Sequence, residues 1–117
     1  MAAVDESRPD LLGPLLRDLA AQGANAELPV RGNSMRRLLR SGARVRLVPA
    51  TAADGRVGDV VVRADAAGPV IHRLVGRWPA RGGWRMLTKG DGALRLDPPL
   101  HADTLVGRVV VRVREGH

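Results

Sequence analysis

A valine-rich stretch decides the fold, and it reads GDVVVRA at residues 58–64. Three consecutive valines favour a strand, because this β-branched residue fits a pleated, half-buried surface. A second run of the same kind, Val109-Val110-Val111, lies near the end of the chain. Both runs predict strands in the core of a sheet.

Working outward from these runs, the pattern predicts six strands. Residues 44–47 and 112–114 alternate arginine with an apolar residue at period two, as a half-buried strand does. Gly, Pro and Asp clusters separate the apolar runs and mark turns. The predicted strands are residues 27–31, 43–49, 58–64, 69–77, 83–89 and 104–114. The fold class is therefore mainly β, a small and mostly antiparallel sheet or partly open barrel, with one helical turn at residues 35–40.

The first 26 residues differ in composition and predict a short amphipathic helix. Their apolar residues fall at helical spacing. Asp10 is a candidate N-cap, Pro14 either begins the helix or weakens it, and Gly23 is the candidate residue at which the helix ends. Two interpretations are open. The helix closes one end of the core, or residues 10–22 dock on a partner or peripherally on a membrane. The domain division is residues 1–26 and residues 27–117.

Length and composition limit the classes of function. The chain has 117 residues, enough for one core, and its aromatic fraction is 2%. It has no cysteine, which excludes a disulfide framework, a thiol nucleophile and a cysteine-based zinc site. Nothing in the pattern calls for a cofactor or a metal. We find neither a signal peptide nor an apolar run long enough to span a membrane, and expect a cytoplasmic or peripheral membrane location.

The formal charge of +7 comes almost entirely from arginine. Such a surface attracts acidic peptides, anionic lipid or nucleic acid without specificity. We expect no specific nucleic-acid partner. Arg36, Arg37 and Arg40 lie close to a candidate serine, and they either attract an acidic peptide or form a solvated face.

The candidate chemistry-bearing residues are Ser34, His72, Asp91 and Asp97. A serine hydroxyl is a poor nucleophile until a base takes its proton, and a third group must orient that base. Taken singly, a serine after Gly-Asn is typical of a turn, a histidine in an apolar run is typical of a core, and the aspartates are typical of loops. A hydroxyl, an imidazole and carboxyls in this order together predict a catalytic constellation.

The residues around these groups resemble the ordered motifs of the type I signal peptidases. They are also similar to the autoproteolytic repressors of the LexA kind. The resemblance covers about residues 28–112. Its motifs are GNSM at residues 32–35, VGDVVV at 57–62, IHRLVG at 71–76, LTKGD at 87–91 and VGRV at 106–109.

The resemblance implies a role for each candidate. Histidine at position 72 is typical of the archaeal and endoplasmic-reticulum subclass, where bacterial enzymes carry a lysine. It implies Ser34 as nucleophile, His72 as general base and then acid, and Asp97 as the orienting carboxylate. Asp91 would be a supporting acid, and Lys89 would be structural.

The implied function is that of a serine endopeptidase that cleaves a leader or signal-like peptide through an acyl-enzyme. The oxyanion would be bound by the backbone N–H of Ser34, with the second donor unassigned because position 32 is glycine. The substrate would add as a strand to a sheet edge. With no spanning segment in the sequence, we expect a soluble processing protease.

Three other functions remain open. The same fold can hold a peptide without cleaving it, or act as a LexA-like regulator that cleaves itself. A small nucleic-acid-binding β domain would suit the charge, but the two tryptophans flank one loop and offer no extended aromatic platform.

Overall fold

The structure is a computed structural model, and it describes residues 9–29, 44–51, 54–65, 68–101 and 104–113. Seven strands within these ranges form one sheet with the order β1-β2-β7-β3-β4-β5-β6, and every neighbouring pair is antiparallel. The elements are α1 (Pro9–Ala21), β1 (Ala26–Pro29), β2 (Arg44–Val48), β3 (Val60–Asp65), β4 (Gly68–Ala80), β5 (Gly83–Lys89), β6 (Leu100–His101) and β7 (Leu105–Val113).

The expected mainly β, antiparallel fold with a short N-terminal helix is confirmed. The seven described strands form an open sheet that is not closed into a barrel. All six predicted strands are present, with β4 extending past the predicted end to Ala80. The helical turn expected at residues 35–40 lies outside the described residues.

One strand was missed, because β6 is only two residues long and follows two prolines. None of the predicted strands includes His101. It lies in β6 opposite Arg85 of β5, and its Nε2 lies 2.9 Å from the carbonyl oxygen of Gly82. A run of two residues carries no period that a sequence pattern can detect.

The helix α1 covers one face of the sheet. Leu12 and Leu16 are each only 1% exposed, and Leu16 packs in a cluster with apolar residues from five strands. The members from the sheet that are fully buried are Ala26, Leu28, Val45, Leu47, Val62 and Val106. The apolar side of α1 is therefore part of the core. No helix in the described ranges has the length and apolar character needed to cross a bilayer.

The helix ends as the sequence predicts. Gly23 adopts the left-handed conformation, with φ of 71°. Its N–H donates to the carbonyl of Ala20, and the N–H of Ala24 donates to the carbonyl of Leu19, which is the hydrogen-bond pattern of a Schellman cap. Pro14 is tolerated inside α1.

A smaller apolar cluster lies on the opposite face, under β3, β4 and β5. Its buried members are Val61, Leu74, Met86 and Leu105. Because side chains alternate along a strand, residues that pair with these members point to the same face. His72 pairs with Val61, and Thr88 pairs with Leu74, so both lie on the face opposite α1.

The C-terminal strand β7 is inserted between β2 and β3. At Gly107 it passes so close to β2 that an added Cβ would lie 2.6 Å from the carbonyl oxygen of Val48. Real Cβ atoms do not approach backbone oxygens this closely, so only glycine fits here. The glycine of the VGRV motif is thus explained by strand packing.

Candidate active site

The stretch that carries Ser34 connects β1 to β2. Residues 30–43, including Ser34, Arg36, Arg37 and Arg40, lie outside the described residues. The two ends of this segment are placed, because Pro29 and Arg44 are paired across β1 and β2. The remaining candidates, His72, Asp91 and Asp97, are all described.

The imidazole of His72 is held by a carboxylate. His72 lies in the middle of β4, its side chain is 12% exposed, and its Nδ1 lies 2.5 Å from Oδ2 of Asp97. An ionised carboxylate only accepts hydrogen bonds, so Nδ1 is the protonated nitrogen. The lone pair of a neutral ring is then on Nε2. This tautomer is the one that a general base needs if it is to accept a proton through Nε2.

Thr88 of β5 fixes Asp97 in two ways. The backbone N–H of Asp97 donates to the carbonyl oxygen of Thr88 at 2.8 Å, and the Thr88 hydroxyl donates to Oδ2 of Asp97 at 2.6 Å. Thr88 is completely buried. A β-branched residue in a packed strand has little rotational freedom, so the hydroxyl is held in this direction. Asp97 lies in a loop, but its carboxylate is held against the sheet.

A buried arginine lies beside the same oxygen. Arg63 of β3 is 9% exposed, and its Nη2 lies 3.7 Å from Oδ2 of Asp97. Arg63 follows Val61 by two residues and therefore shares the face of His72. Buried guanidinium groups are stable only beside an opposite charge, so Arg63 and Asp97 stabilise each other.

The ionisation of Asp97 follows from these contacts. Burial acts to raise the pKa of the carboxyl, but the hydrogen bonds from Thr88 and His72, with the charge of Arg63, outweigh it. The pKa of Asp97 therefore lies below its usual value. Asp97 is anionic at neutral pH and accepts hydrogen bonds from both neighbours.

Asp91 has a different partner. Its two oxygens accept hydrogen bonds from Nε and Nη2 of Arg73 at 2.8 and 2.7 Å. Arg73 also donates to the carbonyl oxygen of Gly58 at 2.8 Å. The hydrogen bonds with Arg73 lower the pKa of Asp91 despite its partial burial. The contacts of Arg73 join β4 to the loop after β5 and to the turn before β3.

Lys89 lies at the end of β5. Its Nζ donates to the carbonyl oxygen of Gly90 at 3.3 Å, in the turn that leads to Asp91. Gly90 is buried, and its carbonyl also accepts from the N–H of Ala93 at 2.9 Å. These contacts link Lys89 and Ala93 to the turn at Gly90.

Comparison of the chain with models of known protein families and with curated proteins finds no match. The resemblance to signal peptidases therefore rests on the motifs themselves. Within the described ranges, no group of three or more histidine, aspartate and glutamate side chains could hold a metal ion. The contact with Asp97 gives the imidazole of His72 the tautomer in which Nε2 can accept a proton.

The sequence predicts no site role for two residues of the site. Thr88 belongs to the LTKGD motif, and Arg63 belongs to a predicted strand. The detectable signal was the period-two alternation Val61, Arg63, which places a charge on the same buried face as a valine. A buried arginine requires a buried carboxylate nearby.

Proposed function

We propose that the chain is a serine endopeptidase that removes a leader or signal-like segment by the chemistry of the signal peptidases. Ser34 is the nucleophile, His72 the general base and acid, and Asp97 the carboxylate that orients His72. The observation that carries the proposal is the 2.5 Å contact from His72 Nδ1 to Asp97, reinforced by Thr88. The motif resemblance supplies the serine.

The reaction divides into two acyl transfers. Ser34 Oγ forms a bond to the scissile carbonyl carbon while its proton passes to Nε2 of His72. The C–N bond then breaks, and the proton moves from Nε2 to the leaving amine. A water molecule next gives its proton to Nε2 and attacks the ester carbon. The ester bond breaks, and Ser34 recovers the proton from His72.

Asp97 lowers the barrier by acting on His72. The imidazolium that forms in each transfer is stabilised by a carboxylate that is already ionised and in contact. Because Thr88 and Arg63 fix Oδ2 in advance, little reorganisation is needed when the charge develops. The oxyanion would be stabilised by the backbone N–H of Ser34.

The required contact restricts the path of residues 30–34. Pro29 in β1 and His72 in β4 are separated by four strand spacings across the sheet and by four residues along the strand direction. On a flat sheet these two separations combine to a distance of about 23 Å. Ser34 follows Pro29 by five residues, which extend at most about 17 Å. The two side chains add several ångströms, and the twist of a sheet shortens the direct path. The proposal thus requires residues 30–34 to lead toward β4.

The experiment is labelling with a serine-reactive acylating probe. The native chain should incorporate one equivalent, and Ser34→Ala and His72→Ala should abolish incorporation. Ser41→Ala, in the same segment, and His101→Ala are matched controls and should label as the native chain does. Equal labelling of Ser34→Ala and the native chain would eliminate the protease. Peptide binding without any labelling would identify a non-catalytic peptide-binding module instead.

A further inference from the structure

Two arginines share the face of the sheet that carries His72. One row of cross-strand pairs runs over β2, β7, β3 and β4, and it consists of Val48, Arg108, Val61 and His72. Paired residues point to the same face, so Arg108 lies on the face of His72. Arg46 precedes Val48 by two residues on β2 and therefore belongs to this face as well. We call Arg46 and Arg108 the face arginines.

The face arginines lie within the length of a short peptide from His72. Neighbouring strands are about 4.8 Å apart, so the Cα atom of Arg108, two strands away, is about 10 Å from that of His72. Arg46 is three strands and two residues away, which corresponds to about 16 Å. An extended peptide advances about 3.3 Å per residue. The two distances therefore correspond to about three and five residues of a bound peptide.

The acidic side chains described on this face already have partners. Asp97 accepts hydrogen bonds from His72 and Thr88. Glu27 of β1 accepts a hydrogen bond from Nε of Arg44 at 2.6 Å. No salt bridge within the described part of the chain involves either face arginine. Their positive charge is therefore not neutralised by the described acids.

The surroundings of the face arginines favour an anion. Arg108 is exposed and can meet a ligand from solvent. Arg46 is half-buried, and its Nε is buried without a hydrogen-bond partner among the described groups. A buried N–H that lacks an acceptor is unfavourable, and a partly buried guanidinium is stabilised by an opposite charge. An anion bound over β2 and β7 would supply both the acceptor and the charge.

We propose that the face arginines select substrates that carry an acidic residue about three to five residues from the cleaved bond. The inference rests on the proposed protease function, because His72 defines where the bond is cleaved. A carboxylate suits a guanidinium group, which can donate two parallel hydrogen bonds to it. Both arginines lie on the β2 side of His72, so acids are favoured on one side of the cleaved bond only. The substrate is then a peptide with an acidic segment beside its cleavage site.

The experiment is cleavage of a synthetic library of random-sequence peptides, with the products identified by mass spectrometry. The native chain should enrich Asp and Glu by about threefold within this window on one side of the cut, as a partly exposed ion pair would. Two peptides that differ only by Glu or Gln at the enriched position should differ in KM and not in kcat, because the charge is bound equally in the ground state and the transition state. Raising the salt concentration should reduce the difference.

A charge reversal at Arg108 tests the contact. Arg108→Glu should abolish the preference for acids at the nearer position and favour Lys and Arg there by a similar factor. Arg17→Glu, at an exposed position of α1 on the other face of the sheet, makes the same change in net charge and should keep the preference for acids. Circular dichroism and labelling of Ser34 by the acylating probe check that each variant folds and keeps its site.

The half-buried arginine has a matched control. Arg46→Gln should weaken the preference for acids at the farther position. Arg85 is also half-buried, with a buried Nη1 that has no hydrogen-bond partner among the described groups. It lies on the α1 face, because the adjacent Met86 packs on the opposite one. Arg85→Gln should therefore leave the preference unchanged.

The results separate this inference from the function on which it rests. Ser34-dependent cleavage without enrichment of acids would overturn the inference and leave the protease standing. The same holds if Arg108→Glu keeps the preference of the native chain, or if Arg17→Glu loses as much of it as Arg108→Glu does. Neither labelling nor cleavage that depends on Ser34 would overturn the protease, and the inference with it.

Discussion

Replacing Thr88 by valine removes the buried hydroxyl that donates to Asp97 and leaves the shape of the side chain unchanged. Thr88 is completely buried and its oxygen lies 2.6 Å from Oδ2, so the loss is that of a hydrogen bond to a charged acceptor. Such bonds contribute about 1.5–3 kcal/mol. His72 and Arg63 remain beside the same oxygen, so we expect about 2 kcal/mol. For a chain of this length that is a fall in Tm of roughly 6–12 °C.

The pH dependence identifies the cause of this loss. In the native chain, folding lowers the pKa of Asp97. Ionised Asp97 therefore stabilises the folded state fully above the unfolded pKa of about 3.9, and this stabilisation is lost as pH falls through the folded pKa. Removal of one donor raises the folded pKa. The difference between Thr88→Val and the native chain should be constant from pH 6 to 8 and shrink only as pH falls through the folded pKa values of Asp97 in the two chains.

The assay is urea unfolding followed by circular dichroism at pH values from 7 to 3.5. Thr88→Ser is the matched control, because it keeps the hydroxyl and loses a methyl group. Its destabilisation should be independent of pH. The reasoning is refuted if Thr88→Val unfolds within 0.5 kcal/mol of the native chain at pH 7, or if Thr88→Ser is destabilised there by as much as Thr88→Val.

Three further substitutions separate orientation, ion pairing and packing. Asp97→Asn should slow acylation of Ser34 by about 10³-fold or more, since an amide does not stabilise an imidazolium, whereas Asp91→Asn should slow it less than tenfold. The rates are measured by probe labelling, and similar rates for the two variants would contradict the assignment of Asp97. Asp91→Asn should lower the free energy of unfolding in urea by about 0.5–1.5 kcal/mol at pH 7. This loss should become smaller at pH values below about 4, because the pKa of Asp91 is lowered in the folded chain. A loss that does not vary with pH would rule out the ion pair. Gly107→Ala should destabilise the chain by about 1–3 kcal/mol in the same assay. Gly76→Ala is the control and should have a small effect, because its added Cβ would lie 3.9 Å from Leu87. Equal effects would show that the close approach of Gly107 to β2 is unimportant.

Local chemistry made the elements of the fold predictable. Valine runs and period-two alternation located the strands, because a half-buried pleat has that pattern whatever its partners are. The end of α1 was readable because Gly23 is the residue that adopts the left-handed conformation at no steric cost. The extension of β4 to Ala80 was missed because Trp78 and Pro79 precede a turn and read as loop residues.

The order of the strands could not be predicted in this way. The insertion of β7 between β2 and β3 depends on pairs of residues 42 to 69 positions apart, which no local pattern records. The same holds for the site. The motif order predicted the candidates His72 and Asp97, but the Thr88 and Arg63 contacts depend on how three strands are aligned in register.

The assignment of Asp91 shows why a motif alone leaves roles undecided. Asp91 and Asp97 both follow β5 and both fit a supporting carboxylate. The structure separates them by partner, because Asp91 is bound through both oxygens to Arg73, and Asp97 binds His72. A histidine followed by an arginine on one strand presents the two partners to opposite faces.

In the proposed mechanism, Ser34 reaches the imidazole that Asp97 orients. A crystal structure of the chain after reaction with the acylating probe measures this directly. We predict an adduct on Oγ of Ser34, with that oxygen about 2.6–3.2 Å from Nε2 of His72. An adduct on another residue, or a Ser34 oxygen on the α1 side of the sheet and beyond reach of His72, would contradict it.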